Sequence, residues 1–395
     1  MLYRVRHRKW LLLAFILLLS LSLRGPVVGI APLLESIEHD LSLTSFASGL
    51  LTTLPILSFA LFAPVATRLG RRFGIESALL VGTLLILAGM ILRSLGVLPT
   101  LYSGVFLIGA GIAIGNVLLP ILLKRDFSNH IIQLTAVYVL MMNIGGALIT
   151  GTAVPLTLVS EQWIGNLWPS WSFALACQTL LLILPLVLWF ALTKPNQTPQ
   201  PTAADLIKAS VWRSPVAWLI TFFIAVNSVT NYIVNTWLPT ILIDHGFSAV
   251  TAGLYHSYIQ LAGMIPALTL PFIQRFVPTK RQLCCIATFS TLLSLVGFTV
   301  MIEFAVIWSF IYGFGVTLGF VVGISLISLR TNSVREAAAL SGMAQFVGYL
   351  LAAIGPMAIG GLHDWLDEWQ TALYCLIALG IIWIFLGWFA SSEDT

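Results

Sequence analysis

Arg24 interrupts an apolar run that extends from Trp10 to Leu34. A guanidinium presents a planar fork of donors that holds two oxygens at once, so the chemistry on offer is recognition of an anionic group. If the run is a membrane helix, Arg24 lies about ten residues, or roughly 15 Å, below its outer end. Near that depth an arginine costs about 2.5 to 3.5 kcal/mol on insertion scales. No Asp or Glu occurs at comparable depth in any other apolar run, so polar or aromatic groups, water or an anionic solute must offset the cost. Binding a solute and hydrogen bonding to backbone carbonyls both satisfy the group, and intramembrane charge by default points to function.

Other polar side chains occur where an apolar run does not need them. Asn227, Asn231 and Asn235 recur at i, i+4 and i+8, which places three amides on one helical face. When Pro32 is aligned with Pro239, Asn231 falls at the position of Arg24. Asn143 and Gln345 correspond in the same way, and Asn116 lies in another run. His256, Tyr258 and Gln260 follow Tyr255 in a further one. Each amide alone serves equally as glue between helices, and a lone histidine as a hydrogen-bonded packing residue. Together with Arg24 they predict a polar, solute-binding chamber built from both halves of the chain.

Catalysis has no such constellation. The chain contains no HExxH pair, CxxC framework, nucleophile elbow or phosphate loop. Its cysteines, Cys177, Cys284, Cys285 and Cys375, lie in apolar stretches without metal-like spacing. Neither an enzyme, a metal nor a cofactor is expected.

The elements that must position these groups follow from composition. Of 395 residues, 58% are hydrophobic and 9% charged, and the mean hydropathy is +0.98, which excludes an ordinary soluble domain. Apolar stretches near 10–34, 46–67, 76–95, 100–123, 132–158 and 171–192 predict six spans, and those near 214–239, 248–274, 281–301, 303–329, 336–361 and 371–390 six more. The stretch 193–213, with Lys194, Pro195, Pro199 and Pro201, reads as a polar linker between a bundle at 1–192 and another at 214–395.

Charge placement predicts orientation. Of 19 Lys and Arg, all but Arg24 and Arg93 fall at the N-terminus or in alternate connections, from Arg4 through Arg68, Lys124, Lys194, Arg275 and Lys280 to Arg335. By the positive-inside rule both termini face the cytoplasm. The halves also repeat each other: Gly109-Ala110-Gly111 with Gly115 matches Gly313-Phe314-Gly315 with Gly319. Small residues at that spacing let membrane helices approach closely or bend.

Between the second and third spans, Thr67-Arg68-Leu69-Gly70-Arg71-Arg72-Phe73-Gly74 resembles the signature loop of the major facilitator superfamily, GxLaDRxGRR. Arg68, Gly70, Arg71 and Arg72 match, while Thr67 replaces the acid and Ala63 the first glycine. The resemblance implies a conformational-switch loop, although an ordinary positive-inside turn has the same charges. Leu23-Arg24-Gly25-Pro26, Gly115-Asn116-Val117-Leu118-Leu119-Pro120 with Lys124-Arg125-Asp126-Phe127, and Ala339-Leu340-Ser341-Gly342-Met343-Ala344-Gln345 are similar to the cyanate permease and 2-nitroimidazole exporter branch. That resemblance implies an all-α membrane protein of twelve transmembrane helices in two pseudo-symmetric six-helix bundles. It further implies alternating-access transport of a small anionic or strongly polar solute across a bacterial inner membrane. Export of hydrophobic drugs and, less economically, a membrane sensor that does not transport are the alternatives. The expected partners are a solute and the lipid bilayer, with no nucleic acid, and the chain is expected to be a monomer.

Overall fold

A computed structural model describes residues 2–127, 131–165, 168–191, 211–277, 279–331 and 334–391. Among these every regular element is helical. In chain order they are α1 Leu2–Leu21, α2 Gly25–Val28, α3 Leu34–Leu41, α4 Ser45–Phe73, α5 Ile75–Arg93, α6 Leu98–Asp126, α7 Ile131–Trp163, α8 Ser170–Cys177 and α9 Leu180–Ala191. The remainder are α10 Pro215–Asp244, α11 Ala249–Ala262, α12 Met264–Phe276, α13 Lys280–Val300, α14 Ala305–Leu329, α15 Val334–Leu366 and α16 Gln370–Ala390. Of the linker expected at 193–213, residues 193–210 lie outside the described residues.

Among the described residues eleven helical segments are long and apolar enough to cross a membrane. The eighth expected span, 248–274, is instead divided at Gly263 into α11 and α12. Pro266 explains the division, because it has no N–H for the carbonyl of Ala262 and its ring crowds that oxygen. Spans 1 and 6 are interrupted too. In span 1 the chain leaves helical geometry at 22–24, and Pro26 and Pro32 each remove a donor. In span 6 the gap between α8 and α9 falls at Gln178 and Thr179.

Backbone contacts divide the chain into two compact units, Met1–Leu43 with Leu54–Pro201, and Thr44–Thr53 with Thr202–Thr395. The first ten residues of that second unit, Thr44–Thr53, include the start of α4. Hydrogen bonds show why they group with α15: the amides of Ser45 and Phe46 donate to the Asp364 carboxylate at 2.8 Å each, and Thr53 donates to the Ala353 carbonyl at 2.6 Å. Asp364 thus supplies acceptors to the orphan N–H groups of a helix start.

Within the first unit, glycines set the packing. A Cβ on Gly104 would fall 2.6 Å from both the amide nitrogen of Arg93 and the carbonyl oxygen of Gly89, so α5 and α6 run in backbone contact. Gly109 abuts the backbone of Pro55, and a Cβ on Gly115 would lie 2.6 Å from the Leu23 side chain. In the second unit a Cβ on Gly315 would meet Thr291 Oγ1 at 2.5 Å. Tryptophans anchor this unit by donating across helices, Trp237 to the Pro356 carbonyl at 2.8 Å and Trp383 to that of Phe223 at 2.9 Å. Phe223, Leu318, Met343 and Trp383 belong to one buried core. Large apolar side chains such as Leu180, Phe289 and Phe385 point outward, the arrangement of helices solvated by lipid rather than water.

Candidate functional site

In the first unit the candidate site grows from the interruption of span 1. Hydrogen bonds from Ser22 to the Leu19 carbonyl and from Leu23 to that of Ser20 tighten the end of α1, and Arg24 follows with φ −117° as the residue preceding α2. Its side chain is half-buried. The glycines of α7 and α2 permit this bend, because a Cβ on Gly145 would lie within 2.7 Å of the Leu21 carbonyl carbon, and one on Gly25 would meet Ile149. Asn116 is one residue beyond the glycine that touches Leu23, and its Oδ1 accepts from the Tyr138 hydroxyl at 3.2 Å. Asn143 is buried on α7 two residues before Gly145. Arg24 therefore lies at the bend where α6, which carries Asn116, and α7, which carries Asn143, come against span 1.

The second unit holds a separate polar cluster. Asn235 Nδ2 donates to the Asn231 carbonyl at 2.7 Å and to its Oδ1 at 2.8 Å. Since a backbone carbonyl only accepts, this contact fixes which way the Asn235 amide faces. Its Oδ1 accepts from Gln260 Nε2 at 2.6 Å and faces His256 Nε2 at 3.0 Å, so that ring nitrogen carries a proton. Asn235, His256 and Gln260 are all at most 4% exposed. Gln260 Oε1 remains a buried acceptor with no hydrogen-bond partner among the described residues. A cluster that can still accept one bond suits a polar solute donor or a water.

Three expected residues are placed elsewhere. Asn227 donates to the Val316 carbonyl at 2.9 Å and lies against Gly319 of α14, bridging two helices. Tyr258 is two residues from His256, about 200° around the helix, and stacks on Phe310 with ring centroids 5.1 Å apart. Gln345 is exposed and donates to Ser341 of its own helix at 3.1 Å. The expected switch loop is not a loop either. Arg68, Gly70, Arg71 and Arg72 belong to α4, which stays helical to Phe73, and the reversal into α5 is made by Gly74 alone, at φ +87°. A left-handed residue there is tolerated because glycine has no Cβ. Gly70 matters for packing, since a Cβ would meet Leu118 at 2.9 Å.

Near the same end of the unit, Arg125 pairs with Glu76 at 2.5 Å and with Asp126 at 2.8 Å. Burial alone would lower the pKa of Arg125, but the hydrogen bonds to Asp126 and Glu76 outweigh it and raise the pKa, so the group stays charged.

Comparison with known proteins settles the class. Residues 10–356 match the model of the Major Facilitator Superfamily. The chain belongs to that superfamily. It is 41% identical over 377 residues to a 2-nitroimidazole transporter of Escherichia coli (strain K12), covering 95% of this chain and 94% of that protein. It is 24% identical over 379 residues to the cyanate transport protein CynX of the same strain, covering 94% of this chain and 96% of CynX. The fold is that of the nucleoside transporter NupG, with a TM-score of 0.80 at 11% identity, covering 96% of this chain and all of that one. As a member of this superfamily the chain is a multi-pass membrane transporter of a small solute, not an enzyme.

Arg93, in the sequence only an exception to charge placement, is not among the expected site residues. Arg93 is fully buried. Its Nη1 donates to the Pro26 carbonyl and its Nη2 to Gln178 Oε1, each at 2.5 Å. The signal was there: a cation off the charged side of the chain, at the end of an apolar run, must be either an anchor in the headgroups or a buried tie.

Proposed function

We propose that the transported solute is a small planar molecule with two oxygens on one atom, of the 2-nitroimidazole type, and that Arg24 is its primary contact. The observation that carries this reading is a half-buried guanidinium at the interruption of span 1. An interrupted helix supplies backbone groups not used by its own hydrogen bonds, and transporters use such segments for solute sites. The guanidinium fork matches a nitro group or carboxylate and is poorly matched to a large apolar drug. The resemblance to the 2-nitroimidazole transporter, which extends over 95% of the chain, supports a solute of that type. Movement follows by alternating access, the mode of secondary transporters built from repeats.

Purified protein tests the assignment. A ligand at one hundred times its Kd stabilises the folded state by about 2.7 kcal/mol, so 2-nitroimidazole should raise the melting temperature, with a smaller rise for cyanate. Proteoliposomes should then show saturable counterflow of the same compound. Stabilisation by hydrophobic drugs, with none from nitroimidazole, cyanate or small carboxylates, would refute the assignment.

The orientation proposed is an inner membrane with both termini cytoplasmic, supported by the partition of cations along the chain. A cysteine replacing Gln197 should resist an impermeant thiol reagent applied to intact cells. Rapid labelling there would reverse the topology.

A further inference from the structure

We infer that Arg93 is a positioning residue: its guanidinium ties the interruptions of spans 1 and 6 together and so fixes where Arg24 is presented. The idea rests on the reading of Arg24 as the solute contact. In a regular helix the Pro26 carbonyl would accept from the amide four residues on; here α2 ends at Val28, and the partner found for that oxygen is Arg93 Nη1. Only Gly25 separates Pro26 from Arg24. The second arm of the fork, Nη2, is held by Gln178, the residue that closes α8. Arg93 itself ends α5, so a single side chain joins three helices at the points where two of them lose their regular hydrogen bonding.

Several features show that the tie is built rather than incidental. Arg93 is 0% and Gln178 4% exposed, so neither snorkels toward water. A Cβ on Gly29 would meet the Ile149 side chain first and would also lie 3.2 Å from Gln178 Nε2, so Gln178 packs close to span 1 at Gly29. Gly104 allows α6 to cross directly against the Arg93 backbone. Ser94 and Ser172 add a second link nearby, with the Ser172 hydroxyl donating to the Ser94 carbonyl at 2.5 Å. An ammonium cannot replace the fork, because it is a compact point charge without two parallel arms set for separate acceptors.

The test compares Arg93→Gln, Arg93→Lys and Gln178→Leu with Gln178→Glu, which keeps an acceptor for Nη2. Hydrogen exchange at the amides of residues 22–25 and 27–30 in solute-free protein reports the tie without reference to any solute, and calorimetry with 2-nitroimidazole reports its effect on the site. Arg93→Gln should exchange faster at 22–30 while amides 215–244 of the second unit keep their protection, and should bind at least about tenfold more weakly, the scale of one lost charged hydrogen bond. Arg93→Lys and Gln178→Leu should do the same to a lesser degree, and Gln178→Glu should retain wild-type values. If Arg93→Gln does not fold, the other two weakening variants carry the comparison. Unchanged exchange at 22–30 overturns the inference, and so does faster exchange with unchanged affinity. If Arg24→Ala binds normally, the Arg24 reading fails by itself, while the exchange result still reports whether the tie exists.

Discussion

Arg24→Ala should lose at least about a hundredfold in affinity for 2-nitroimidazole, because two hydrogen bonds to a charged donor disappear, each worth roughly 1.5 to 3 kcal/mol. Arg24→Lys keeps the charge and should still lose about tenfold, since an ammonium cannot offer two parallel N–H groups to two oxygens on one atom. Both variants should remain inserted and monodisperse. The residue precedes α2 without capping it through its side chain, and the tightening of α1 is made by backbone bonds at Ser22 and Leu23. The competing account, in which Arg24 serves only to satisfy carbonyl groups, predicts a different pair of results: poor expression and a lowered melting temperature for Arg24→Ala, with affinity retained in whatever folds. Calorimetry and thermal melting on the same preparations separate the two. Wild-type affinity in a well-folded Arg24→Ala protein would eliminate the proposed contact.

Periodicity and composition made the helices legible because lipid leaves few alternatives: a backbone with no water around it must satisfy itself, and long apolar runs can do so only as helices or closed barrels. What composition does not report is where such a helix stops being regular. Gly263 with Pro266, and Gln178 with Thr179, lie inside runs that are apolar on both sides, so a count of apolar residues passes over the interruptions of spans 8 and 6. Proline alone is an insufficient guide, since Pro55, Pro64 and Pro120 sit inside continuous helices.

The site was legible to the same partial extent. Spacing of four placed Asn231 and Asn235 on one face, and the structure joins them with His256 and Gln260, themselves four apart. Tyr258 is two residues from both His256 and Gln260, which on a helix places it on the opposite side. Asn227 shares the face of Asn231 but is one turn nearer the helix start, where α14 with its Gly319 comes close enough to take the amide. A partner on another helix is long-range information, and a single sequence without an alignment holds no measure of it. Arg93 is the clearest case, since its two acceptors are 67 and 85 residues away along the chain.

The bend that presents Arg24 should be most sensitive to Gly145. A methyl group there would meet Leu21 backbone atoms, with Cα at 2.8 Å and the carbonyl carbon at 2.7 Å. Contacts so short cannot be relieved by a rotamer change, because the obstructing atoms are main chain, so α7 and the end of α1 must separate. Overpacking of this kind typically costs about 1 to 3 kcal/mol, and an obstruction by backbone belongs at or above the upper end. Gly145→Ala should therefore melt several degrees below wild type in detergent. It should also weaken 2-nitroimidazole binding, because Arg24 is three residues beyond the displaced Leu21. Gly342→Ala supplies the contrast: nothing lies within 4 Å of its new methyl group, and in a helix interior alanine is favoured over glycine by about 1 kcal/mol, so this variant should melt at or slightly above wild type with affinity unchanged. Equal melting temperatures for the two variants would show that α1 and α7 do not cross at Gly145 as described, and the bend would then need another cause. A Gly145→Ala protein that is destabilised but binds normally would instead separate the crossing from the presentation of Arg24.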